Sequence, residues 1–135
     1  MTFMGAVANG GKAAEPYLIA SVVSDGEVRH QAYTTMTNRL MSEDVAQTLV
    51  GYMRNNVETN YGASNFPGLT VCAKSGTSQL GGGQTSNAMF AGFVADEEYP
   101  LAFIVVVENG GYGASTCVPI LSKVLSACKT MLDNP

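Results

Sequence analysis

Residues 74 to 77 read Lys-Ser-Gly-Thr and interrupt an apolar run that begins at Leu69. An isolated lysine on a strand commonly guards a sheet edge, or lays its stem along apolar surface with the ammonium in water. The neighbours change that reading. Gly76 contributes no side chain to packing, which marks a place where another backbone or a ligand approaches closely. Ser75 and Thr77 flank it with hydroxyls. An ammonium, two hydroxyls and a gap on one strand make a seat for an anion. An extended peptide could lie there by strand addition, its terminal carboxylate met by those groups.

The elements that hold this segment follow from pattern. Phe3 to Ala8 reads as the end of a helix closed by Gly10 and Gly11, too short to be a whole helix. Two strand-like runs flank Asp25-Gly26, a hairpin signal. Ser42 opens a helix with Glu43 and Asp44 in its first turn, and Ala46, Leu49, Val50, Met53 and Val57 line one face. Residues 59 to 68 are a loop by composition. Three strands are expected at 69–78, 88–95 and 101–108, with connections short enough to impose antiparallel pairing. A glycine-rich loop at 109–115 leads into a last helix from Ser115 or Thr116, with Pro119 in its first turn and Val118, Leu121, Leu125, Cys128 and Leu132 facing inward. The expected fold is α+β, an antiparallel sheet flanked by helices.

Composition removes several function classes. The 135 residues suffice for one domain, and 46% are hydrophobic, so a core can form. Seven Lys and Arg are scattered through a chain of net charge −4, which excludes a basic patch for nucleic acid. The longest apolar run, 101–107, is too short to span a bilayer. Cys72, Cys117 and Cys128 form no CxxC and offer no metal site; Cys72 and Cys128 fall on apolar faces and read as buried thiols. His30 has no carboxylate or cysteine partner in sequence. Gly81 to Gly83 lacks the order of a phosphate-binding loop and reads as a hairpin turn. No cofactor is expected.

Lys-Ser-Gly-Thr at 74–77 resembles the third conserved box, Lys-Thr/Ser-Gly-Thr/Ser, of the penicillin-binding D,D-transpeptidases and serine β-lactamases. The context extends the likeness over nearly the whole chain. "AVANGGKAAEPYLI" is similar to the family's segment after its second box, "MSEDVAQTLVGYMRNNVE" to its helix before the third, and "ENGGYGAS" with "VPILSKVL" to its final strand, loop and helix. The pattern points to class B transpeptidases. The resemblance implies that Lys74 keeps the site positive and joins a proton relay. Ser75 and Thr77 would hold the carboxylate of a stem peptide or β-lactam. The Thr77 N–H would be one oxyanion donor, and Gly76 would let the acyl donor lie against the strand.

The family reacts through an acyl-serine formed by the Ser of a Ser-x-x-Lys box, with a Ser-x-Asn box to follow. Neither stands before Lys74; the one formal match, Ser126 to Lys129, lies in the last helix and out of family order. The chain is therefore expected to be the C-terminal portion, residues 1–135, of a peptidoglycan-cross-linking transpeptidase domain at the extracytoplasmic face of the membrane. Its partners would be the missing N-terminal half of that domain, the stem peptide or a β-lactam, and a second copy if the uncovered surface dimerises. The chain alone is expected to be inactive. The alternatives are a non-catalytic β-lactam- or peptide-binding sensor and a class D-like β-lactamase fragment.

Overall fold

The computed structural model describes residues 1–134. In chain order the elements are helix α1 (Thr2–Ala8), strands β1 (Ser21–Ser24) and β2 (Glu27–Gln31), helix α2 (Glu43–Asn56), strands β3 (Val71–Ser78), β4 (Asn87–Val94) and β5 (Ala102–Val107), and helix α3 (Gly113–Asp133). β3, β4 and β5 form one antiparallel sheet in that order, so β3 is an edge strand. The fold is α+β, as expected.

Alternation along β3 assigns its two faces. Val71 and Ala73 join Phe90, Phe103, Leu121 and Leu125 in the larger core, on the side covered by α3. Cys72 points the other way and packs with Val7, Met53 and Phe93 beneath α1 and α2. The sheet is thus sandwiched, and α2 lies close against β3. Burial pushes the Cys72 thiol up to about 11 and also raises that of Cys117, so both are inert core thiols.

β1 and β2 pair through Asp25 and Gly26, both at positive φ (54° and 78°), the backbone a tight two-residue hairpin demands. This hairpin stands off the core. Every residue of both strands is exposed, and Tyr17, Leu18, Ile19, Val23 and Tyr33 leave an apolar surface uncovered around it.

The N-terminus of α2 is held by Ser42, whose hydroxyl accepts from Val45 N at 3.4 Å, with Glu43 and Asp44 in the first turn. Ser42→Ala is expected to lower stability by about 1 kcal/mol. A urea midpoint unmoved by the substitution would show that the cap contributes nothing.

Four expectations need correction. Residues 59–68 are not an open loop: a π-helical turn, Val57–Tyr61, carries α2 onward, and a 3-10 turn, Ala63–Asn65, follows. The last helix begins at Gly113, ahead of Ser115, so Pro119 stands inside it and not in its first turn. Leu132 is exposed and Cys128 only half-buried. A helix of 21 residues spans roughly 32 Å, longer than a six-residue strand can cover, so its last turns run past the sheet. The last fully buried thiol is instead Cys117. The overhang is tied down by Lys129, which donates to Tyr99 Oη and Asp133 at 2.7 Å each, while Tyr99 Oη donates to Asp133 at 2.7 Å. These bonds hold the Asp133 carboxyl below its ordinary range.

Candidate functional site

β3 puts the four residues of the motif at the open side of the sheet. Ser75 N donates to Tyr61 Oη at 3.1 Å, and Ser75 O accepts from Lys74 Nζ at 2.7 Å. Both backbone groups of Ser75 therefore point away from β4. In an antiparallel ladder this alternates, so Thr77, two residues on, also aims its N–H and C=O outward. Thr77 N–H is thus on the free edge, the place a peptide or carbonyl oxygen could reach it.

Side chains alternate across the two faces. Lys74 leaves on the α1–α2 side and is exposed, but its Nζ bends over the edge to within 3.4 Å of Ser75 Oγ. Ser75 and Thr77 lie on the α3 side. The Ser75 hydroxyl meets Tyr61 Oη at 3.0 Å. Lys74 and Ser75 are thus brought together at one point of the edge.

Thr77 also has a partner within the fold. Its hydroxyl accepts from Gly113 N at 3.2 Å. The residue preceding the helix, Tyr112, gives no side-chain cap, so Thr77 satisfies an N-terminal N–H of α3 from across the sheet. A Cβ at Gly113 would sit 2.2 Å from Gly76 O and 2.6 Å from Met89 O. The helix start therefore rests directly on the motif strand. Gly76 has a packing reason as well: a Cβ there would come within 3.3 Å of Met89 Cβ.

Tyr61 is the site residue that the sequence reading missed. Its ring meets Phe90 edge-on, with centroids 5.0 Å apart and planes at 76°, and Asn65 Nδ2 donates to its carbonyl at 2.8 Å. Burial pushes the phenol pKa up, but hydrogen bonding with the Ser75 hydroxyl and backbone N–H and the charge of Lys74 outweigh it and leave the pKa below its ordinary value. One signal was available. Tyr61 follows Val57 by four residues, as Val57 follows Met53, which continues the inner face of α2.

A cavity of about 310 Å³ lies at the other end of β4, between α1 and the turn before β5, and residues 74–77 do not line it. The motif sits on an open strand edge, which suits an extended ligand better than an enclosed one.

The family model for the penicillin binding protein transpeptidase domain matches residues 1–126. Among curated proteins, none matches significantly. Among solved structures, penicillin-binding protein A from M. tuberculosis, as a ceftriaxone acyl-enzyme complex, superposes with a TM-score of 0.81 at 26% identity, over 94% of this chain and 31% of that one. The D,D-transpeptidase domain of a peptidoglycan glycosyltransferase from Eggerthella lenta gives 0.73 at 28% identity, over 95% and 30%. A peptidoglycan synthase complex shares the fold, with a TM-score of 0.69 at 23% identity over 90% and 21%. The chain spans about a third or less of the length of these solved chains. No helix among the described residues is long and apolar enough to cross a membrane. With a family match running from the first residue through most of α3, and the same fold in solved D,D-transpeptidases, this chain belongs to the penicillin-binding protein transpeptidase domain family.

Proposed function

We propose that this chain is the C-terminal portion of a peptidoglycan D,D-transpeptidase domain, and that β3 is where a stem peptide or a β-lactam is held while an acyl-serine forms. The observation that carries the proposal is the free edge of β3. It gathers an ammonium (Lys74), a hydroxyl 3.4 Å from it (Ser75) and, two residues on, an outward backbone N–H (Thr77).

Each group has a role that its geometry suits. Lys74 Nζ is a fixed positive charge beside the Ser75 hydroxyl and attracts a carboxylate. The Thr77 N–H is placed to stabilise negative charge on a carbonyl oxygen as it becomes tetrahedral. The Thr77 hydroxyl accepts from the start of α3 and so holds the strand to the helix, and its own proton is left to donate to a carboxylate. On this reading the serine nucleophile belongs to a part of the domain outside these 135 residues. That part would also cover the apolar surface around β1 and β2; without it, this surface favours self-association. The parent is placed on the outer side of the membrane, where the cell wall is built.

Two measurements test this. The 135-residue chain alone is expected to form no covalent adduct with a fluorescent penicillin. In the polypeptide that joins this chain to a Ser-x-x-Lys segment, Lys74→Ala is expected to slow acylation by at least ~100-fold. An adduct mapped to a residue of this chain, or labelling of Lys74→Ala at the parent rate, would overturn the assignment. Reversible, Lys74-dependent binding by a parent that is never acylated would favour the sensor reading instead.

A further inference from the structure

We infer that Tyr61 is a positioning residue for the carboxylate seat: it fixes the Ser75 hydroxyl so that its proton points out of the strand edge, and thereby makes the seat select a terminal carboxylate over a terminal amide. This rests on the reading of β3 given above and deepens it.

The argument is a count of protons and lone pairs. Ser75 N can only donate, so at 3.1 Å Tyr61 Oη accepts from it. The phenol then has its own proton to place. Among the contacts it makes, the acceptor within reach is Ser75 Oγ at 3.0 Å. Lys74 Nζ, which has no lone pair to offer, lies 3.4 Å from the same oxygen. Two donors thus fill the two acceptor positions of the Ser75 hydroxyl. Its own proton is left to donate, and the direction left for it is away from both. Of its three N–H groups the ammonium gives one to Ser75 O and one to Ser75 Oγ, and keeps one. The edge therefore presents donors at one point, from a serine O–H and a lysine N–H.

Such a donor pair has a definite preference. Both oxygens of a carboxylate can accept. A primary amide presents one oxygen and one NH₂, and the NH₂ would face a donor with nothing to accept its hydrogens. Without the phenol proton, the Ser75 hydroxyl is free to rotate and can turn a lone pair toward that NH₂, so discrimination falls.

Tyr61 is also held firmly enough to act in this way. It ends a π-helical turn, a feature frequent at functional sites. The edge-on contact with Phe90 and the bond from Asn65 to its carbonyl fix ring and backbone.

The test uses the 135-residue chain, titrated with N-acetyl-D-alanyl-D-alanine and with its C-terminal amide, following the Ser75 and Thr77 amides by NMR. The parent chain is expected to prefer the acid. Tyr61→Phe keeps the ring against Phe90 and is expected to reduce that preference about 5- to 10-fold, the loss of roughly one hydrogen bond's discrimination. The same substitution in a Ser75→Ala chain is expected to add nothing further, which a merely structural effect would not reproduce. If Ser75→Ala lowers the preference and Tyr61→Phe leaves it intact, Tyr61 has no positioning role, although the seat stands. If the parent chain shows no preference, or Ser75→Ala does not change it, the carboxylate seat itself is wrong and the inference falls with it.

Discussion

Gly113→Ala should destabilise the chain by about 3 kcal/mol, although alanine is the better helix former by up to about 1 kcal/mol. The added methyl would lie 2.2 Å from Gly76 O and 2.6 Å from Met89 O, and both obstacles are backbone. Neither strand can yield without breaking β3–β4 pairs, so the helix must lift instead. Lifting it takes Gly113 N away from Thr77 Oγ1 and leaves the start of α3 without its cross-sheet partner. Gly51 is the control. It lies in α2 with open space where a Cβ would go, so Gly51→Ala should raise stability by about 0.5–1 kcal/mol. Urea unfolding of the two variants should therefore move in opposite directions, and the Gly113 variant should also shift the Gly76 and Thr77 amide resonances. If both substitutions stabilise, the close seating of α3 on the motif strand is not real.

What the sequence disclosed and what it hid divide along the range of the interactions involved. The Lys-Ser-Gly-Thr segment was legible because its chemistry is carried by four adjacent residues, and its strand by the apolar run leading into it. The Asp25-Gly26 hairpin and the Ser42 cap were legible for the same reason: turn and cap chemistry are local. The start of α3 was not. Gly113 looks like loop, and nothing beside it marks a cap, because its N–H is satisfied by Thr77, 36 residues earlier. Residues 59–68 were hidden likewise. The π-turn ends on a tyrosine whose partners are Ser75 and Phe90, 14 and 29 residues away in sequence, and composition alone says only that the stretch is rich in Asn and Gly. The inner face of α3 was right where the sheet lies beneath it, at Val118, Leu121 and Leu125, and failed at Leu132, because periodicity does not say where the opposing surface ends.

The larger packing effect is expected from Phe90→Ala. Phe90 is fully buried in the central strand, between the Tyr61 ring at 5.0 Å and the Phe103 ring at 6.4 Å. Removing a buried phenylalanine side chain typically takes away 3–5 kcal/mol, a large share of the 5–15 kcal/mol that stabilises a domain. Phe90→Leu retains most of the volume and should lose less than about half as much. The effect should also reach the strand edge along one physical path. Phe90 is the wall that holds the Tyr61 ring, and Tyr61 Oη is the acceptor for Ser75 N. In Phe90→Leu, which is expected to stay folded, amide exchange at Ser75 should therefore accelerate more than at Gly92 on the central strand. Equal acceleration at both positions would mean that the substitution loosens the sheet as a whole, and that the aromatic contact does not hold the edge in place. A selective change at Ser75 would tie the core of this domain to the geometry of its candidate site through a single pair of rings.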